Sequence, residues 1–152
     1  MISGPSDQIL EGLSGNTAAE KAAALEQSMT AMDQMVEMFY AHKGLSTASD
    51  AEPHNRVPAG RLNIRYQRMF AGAFMYAGGL HIGIEWPQFK EMVNGKPVIA
   101  DAEGRYQSGS LFGWGLSHEI GHEINEGAYA VAEVTNNYYP LLAQARDTND
   151  SL

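Results

Sequence analysis

An α+β domain is predicted by a change of hydrophobic period along the chain. Apolar residues recur at steps of three and four near the start, at every second position over residues 62–66 and 80–86, and in helical pattern again over the last forty residues. With 152 residues the chain can bury one real core but not two. A 44% hydrophobic and 18% charged composition excludes a disordered tail.

Residues 1–15 mix Gly, Ser, Pro and Asp and read as a flexible lead-in, leaving 16–152 as the folded core. Thr17 and Glu20 have capping-box spacing, a hydroxyl followed three residues later by a carboxylate. Behind them Leu25, Met29, Met32, Val36 and Phe39 form one stripe, and Gly44 supplies a stop. The prediction is a long helix from Thr17 to Lys43. Pro53 and Pro58 make 46–60 a loop. Leu62, Ile64 and Tyr66 then alternate with arginines and Asn63, and Leu80, Ile82, Ile84 and Trp86 alternate with His81, Gly83 and Glu85 until Pro87. These are two strands of a small sheet, expected to be antiparallel. The apolar stretch between them, FAGAFMYAGG, is too short and Gly-interrupted to assign. Asn94-Gly95 and Glu103-Gly104 mark turns in 93–109.

Several function classes are excluded. A net charge of −8 argues against a nucleic-acid partner, and the one basic cluster, Arg56, Arg61, Arg65 and Arg68, has no aromatic interleaving suggestive of a base-stacking platform and reads as a solvated strand edge. Without cysteine there is no disulfide and no thiolate chemistry. No run of about 18 apolar residues exists to span a membrane. The start, MISGPSDQIL, has no basic region followed by an apolar one, so no signal peptide is read there. The chain is expected to be a piece of something longer.

Chemistry concentrates in His118-Glu119-Ile120-Gly121-His122. Residues four apart on a helix stack on one face, so two imidazoles can point at one tetrahedral cation. Glu119 stands on the adjacent flank, where it can reach water rather than the cation. Five His and twelve Glu placed at random would give this pattern in about one such sequence in a hundred.

A catalytic zinc ion (Zn2+) needs a third protein ligand and one open position. Glu123 is adjacent to His122 in sequence, about 100° around the helix, and points away. Glu126 lies near the ligand face, but Gly127 ends the helix there and the reach back is crowded. Glu133 falls in AYAVAEVTNNYYPLLAQ, a second helical segment expected to pack Ala130, Val134, Tyr138 and Leu141 inward. Glu133 is the preferred third ligand and Glu126 the alternative. Asn137, one turn after Glu133, has a side-chain carbonyl that could orient His118.

The combination GWGLSHEIGHEIN followed by AEVTNN resembles the enhancin-like, mucin-targeting zinc metallopeptidases of peptidase family M60. That family carries H-E-x-x-H and a later glutamate, often within EVTNN; here ten residues separate His122 from Glu133. The stretch MFAGAFMYAGGLHIGI is similar to the family's strand segment before the zinc helix, so the likeness covers roughly residues 61–144. The resemblance implies a thermolysin-like zincin of the gluzincin type, truncated on its C-terminal side. It implies that His118, His122 and Glu133 bind zinc and that Glu119 is the general base. It further implies peptide hydrolysis in O-glycosylated host proteins outside the cell or at its surface, by a parent protein bearing additional carbohydrate-binding modules. Two other readings are carried: a non-catalytic, zinc-stabilised glycoprotein-binding fragment, and a zinc hydrolase of another amide such as a cell-wall peptide.

Three subsidiary expectations concern the cleft. Leu80 to Trp86 is the strand edge on which a substrate would add a strand. His81 either faces the cleft or is solvated. Trp114, Tyr138 and Tyr139 pack the two zinc-site helices together rather than stack on sugars.

Overall fold

The computed structural model describes residues 1–48, 50–70, 72–85, 88–93, 99–100, 106–107, 114–125 and 127–146. Trp86, Pro87, both predicted turn pairs in 93–109 and the alternative ligand Glu126 lie outside them.

The first fifteen residues, expected to form a lead-in, carry two short elements: β1 (Ile2–Ser3), which joins the sheet, and α1 (Ser6–Gly12), which packs on the 3-10 segment 88–93. The long helix α2 (Ala18–Lys43) begins and ends where its caps predict. Thr17 Oγ1 accepts from the Glu20 amide at 3.2 Å, and the Glu20 carboxylate accepts from the Thr17 and Asn16 amides at 2.9 and 2.7 Å. Those backbone donors hold the Glu20 carboxyl below its ordinary pKa. At the other end Gly44 adopts φ 75°, and the Gly44 and Leu45 amides return to Ala41 and Tyr40, a Schellman close that a side chain at Gly44 would strain. The buried face of α2 is Ser28, Ala31, Met32, Met35 and Phe39, so Met32 and Phe39 of the predicted stripe are in the core. Leu25, Met29 and Val36 are only half-buried and line a groove beside Met1, Ile2 and Leu62.

The sheet corrects the antiparallel expectation. Strands β2 (Asn63–Tyr66), β3 (Met75–Ala77) and β4 (His81–Ile84) join β1 in the order β1-β2-β4-β3; the first two pairings are parallel and only β3–β4 is antiparallel. The cause is the tight turn at Gly79-Leu80, where both residues have positive φ (61° and 64°). This is the backbone of a two-residue type I′ hairpin. It folds β4 back against β3 into the slot beside β2, where it runs parallel to β2. Strand β4 is therefore central, with Ile82, Gly83 and Ile84 all buried, and it offers no free edge. Among the described residues the free edge near the site belongs to β3, from the stretch that periodicity could not assign.

Beyond the sheet come a small ribbon, β5 (Ile99–Ala100) with β6 (Tyr106–Gln107), then α3 (Trp114–Ile124), a 3-10 turn at 135–137 and α4 (Tyr138–Arg146). One face of the sheet supplies Ile64, Ile82 and Ile84 to a single core, closed by Met35 and Phe39 of α2, Leu116, Ile120 and Ile124 of α3, and Tyr139 and Ala143 of α4. This is one sheet layer covered by helices on one side. Among the described residues no helix is long and apolar enough to cross a membrane.

Candidate metal centre

Helix α3 presents three columns of side chains. Leu116, Ile120 and Ile124, four apart, are buried in the core and fix its rotation. His118 and His122 form the next column, rings 4.9 Å apart, turned toward the returning segment 130–137. Glu119 and Glu123 form a third, turned toward the β3–β4 hairpin: Glu119 accepts from the Ala77 amide, and Glu123 accepts from the Leu80 amide at 2.7 Å.

The return depends on Gly121. A Cβ there would lie 2.6 Å from Asn136 Cβ and 2.8 Å from the Tyr139 ring, so only glycine lets 136–139 cross α3 this closely. Glu133 does not lie on a helix, contrary to expectation. It sits in the turn before the 3-10 segment with φ 63°, a left-handed conformation that costs a non-glycine residue about 1 kcal/mol. The turn is held by the Val134 and Thr135 amides and the Thr135 hydroxyl, all donating to the Val131 carbonyl at 3.0 Å. The helical inward face predicted for this segment fails with it. Val134, Tyr138 and Leu141 are exposed, whereas Asn136, Tyr139, Pro140 and Ala143 are buried.

That turn carries the Glu133 carboxylate to both imidazoles: Oε2 is 2.9 Å from His118 Nε2 and Oε1 is 3.1 Å from His122 Nε2. His118 is the more enclosed imidazole, 14% exposed against 27% for His122, while Glu133 reaches in from the surface at 70%. Asn137 makes the expected contact. Its Nδ2 donates to the Glu133 carbonyl at 2.9 Å, which leaves Oδ1 to accept from His118 Nδ1 at 2.6 Å. The proton on Nδ1 makes Nε2 the lone-pair nitrogen, as a metal-binding imidazole requires.

Asn136 escaped sequence reasoning. It is 1% exposed, and its Nδ2 lies 2.9 Å from His118 Nε2 and 2.8 Å from His122 Nε2, the two nitrogens whose lone pairs a bound ion would take in its place, while its Oδ1 is buried without a hydrogen-bond partner among the described residues. Only its place beside Asn137 in TNN hints at it, because this turn lacks the helical spacing that relates Glu133 to its partners in sequence.

The donors of His118, His122 and Glu133 lie within 4.8 Å of one another. Two imidazole nitrogens and one carboxylate, with the far side of one imidazole anchored by an amide, suit a zinc ion that keeps a position open. Burial pushes the Glu119 carboxyl above the ordinary carboxylate range; His118 and His122 pull it back, Glu133 adds to the rise, and the Ala77 amide opposes it. A recess of about 320 Å³ opens next to Glu119 and His118, walled by Phe74, Met75 and Trp114.

The other expected residues are placed elsewhere. His81 does not face the cleft: its Nε2 lies 2.8 Å from Arg65 Nη2 and 2.9 Å from the Tyr76 hydroxyl, on the sheet face opposite Ile82. Tyr139 packs as predicted, edge-on to Phe39 at 5.1 Å with its hydroxyl donating to Asn125. Tyr138 is exposed beside His42, and Trp114 lines the recess.

The family Peptidase M60, enhancin and enhancin-like, matches the chain over residues 16–151. No match is found among curated protein sequences. Three solved structures from Clostridium perfringens share the fold. The catalytic module of the metalloprotease ZmpA is 20% identical with a TM-score of 0.64, over 84% of this chain and 22% of that one. The M60 catalytic domain of ZmpC in complex with the sialyl T antigen is 24% identical with a TM-score of 0.60, over 82% and 23%. A ZmpB structure holding two CBM32 domains and an M60 catalytic domain is 24% identical with a TM-score of 0.60, over 78% and 10%. This chain thus spans less than a quarter of each of those chains.

Proposed function

The chain belongs to the family Peptidase M60, enhancin and enhancin-like, and from that premise we propose that it is the core of a zinc metallopeptidase that cleaves peptide bonds in O-glycosylated, mucin-like proteins. The observation that carries the reading is the convergence of His118, His122 and Glu133 with Glu119 half-buried beside them. In this reading the first three hold zinc in a gluzincin plan with a thermolysin-like core, and residues 16–152 form the catalytic unit. Zinc supplies, when bound, a Lewis acid for the scissile carbonyl and a water whose pKa falls toward about 7.

The remaining steps belong to the chain's own groups. Glu119, raised in pKa by its burial, takes the proton of the attacking water and returns it to the departing amine. Asn137 keeps the His118 ring in the required tautomer and orientation. The β3 edge takes the role assigned from sequence to residues 80–86. Gly78 and His81 exchange both hairpin bonds (2.9 and 3.3 Å), so alternation turns the polar groups of Ala77 and Met75 away from β4: the Ala77 amide goes to Glu119, and the Ala77 carbonyl and both polar groups of Met75 face an incoming strand. The glycoprotein substrate is supported by the antigen complex of ZmpC, and a secreted or surface-bound parent with carbohydrate-binding modules by the ZmpB structure.

The test is digestion of a mucin-type glycopeptide beside its bare counterpart, with and without chelator. Cleavage of the glycopeptide, abolished by chelator and restored by zinc, is expected. Preferential cleavage of the bare peptide would point to another amide substrate, and a zinc-loaded chain that cleaves neither would point to a non-catalytic binding fragment.

A further inference from the structure

Glu123 has no place among the metal ligands, yet it is tied to the site through the hairpin. Its Oε2 accepts from the Leu80 amide at 2.7 Å. Leu80 occupies the second central position of the type I′ turn with φ 64°, a conformation unfavourable for leucine. Its amide lies outside the hairpin ladder, which runs through Gly78 and His81, so a carboxylate across the gap is its partner. Its side chain also has a reason to be there: a Cβ on Gly60 would meet Leu80 Cδ1 at 2.2 Å, which shows how closely that side chain covers the 60–62 loop. Glu119, one turn earlier on the same column of α3, accepts from Ala77 at the base of the same hairpin.

We propose that Glu123 is a positioning residue: by gripping Leu80 it holds the β3 edge in register with the H-E-x-x-H helix, so that an extended substrate laid along Met75–Ala77 is presented to Glu119. The inference rests on the peptidase reading for its consequence, though not for the link itself. Glu123 and Glu119 act as two clasps on one hairpin, the second of which also serves the chemistry. If the first is removed, the turn is free to relax out of the left-handed conformation and the edge strand loses its fixed distance from α3.

The experiment compares Glu123→Ala, Glu123→Gln and the double variant Glu123→Ala/Leu80→Gly in the full chain, following amide hydrogen exchange, zinc content and peptide cleavage. Glu123→Ala is expected to speed exchange at Leu80 and Ala77 by about tenfold or more, and to raise KM by a similar factor with little change in kcat or zinc content. Glu123→Gln keeps an acceptor oxygen and stays near the parent. Leu80→Gly removes the strain and recovers most of the lost KM. Unchanged exchange at Leu80 and Ala77 in Glu123→Ala overturns the proposal, as does a kcat loss with unchanged KM. A parent chain that binds no zinc and cleaves nothing defeats the peptidase reading instead, while the exchange comparison still decides the hairpin link.

Discussion

Glu119→Gln is expected to lower kcat by about two to four orders of magnitude while zinc content, KM and the melting temperature stay close to those of the parent. The amide of Gln is nearly isosteric and can still accept from the Ala77 backbone, so the hairpin contact survives. What is lost is a base able to take a proton from water and give it back. Because Glu119 stands on a different column of α3 from His118 and His122, its loss leaves the three donors in place. Steady-state kinetics with zinc analysis on the same samples checks this. Full turnover in the variant would remove Glu119 from the role of base.

The second large effect is expected at Gly121. In an exposed helix, exchanging glycine for a residue with a side chain gains up to about 1 kcal/mol of propensity. Here a Val side chain must enter where even a Cβ comes within 2.6 Å of Asn136 and 2.8 Å of the buried Tyr139 ring. Overpacking at a buried crossing costs about 1–3 kcal/mol, so the clash outweighs the propensity gain. The segment that must yield also carries Glu133, Asn136 and Asn137. Gly121→Val is therefore expected to destabilise the fold by about 2 kcal/mol and to weaken zinc binding, although it touches no metal-binding atom. Chemical denaturation with and without zinc reads both effects; a variant as stable and as zinc-avid as the parent would show that α4 does not cross α3 at this point.

The sequence made α2 and the H-E-x-x-H column legible because their signals are local. Thr17, Glu20 and Gly44 mark the ends of α2 by chemistry that acts within a few residues. His118 and His122 meet because four residues make about one helical turn. The sheet order was not legible. It depends on a two-residue turn at Gly79-Leu80 that places Leu80 at a φ it seldom adopts, and no alternation pattern reports that. The same limit governed the other half of the candidate metal centre. Glu133 was found from its type and distance along the chain, but its left-handed turn, the outward faces of Val134 and Leu141, and the burial of Asn136 follow from tertiary packing against Gly121. Both misread segments hinge on a non-glycine residue with positive φ, and those two residues, Leu80 and Glu133, lie on either side of α3 at the site.

The central claim, that His118, His122 and Glu133 form one zinc site, is tested most directly by the zinc stoichiometry of the purified chain, by elemental analysis, beside Glu133→Ala. One tightly held zinc per chain is predicted for the parent, with binding weakened by orders of magnitude or lost in the variant. A parent that takes up no zinc after reconstitution, or a variant that holds it as tightly as the parent, would contradict the three-ligand site.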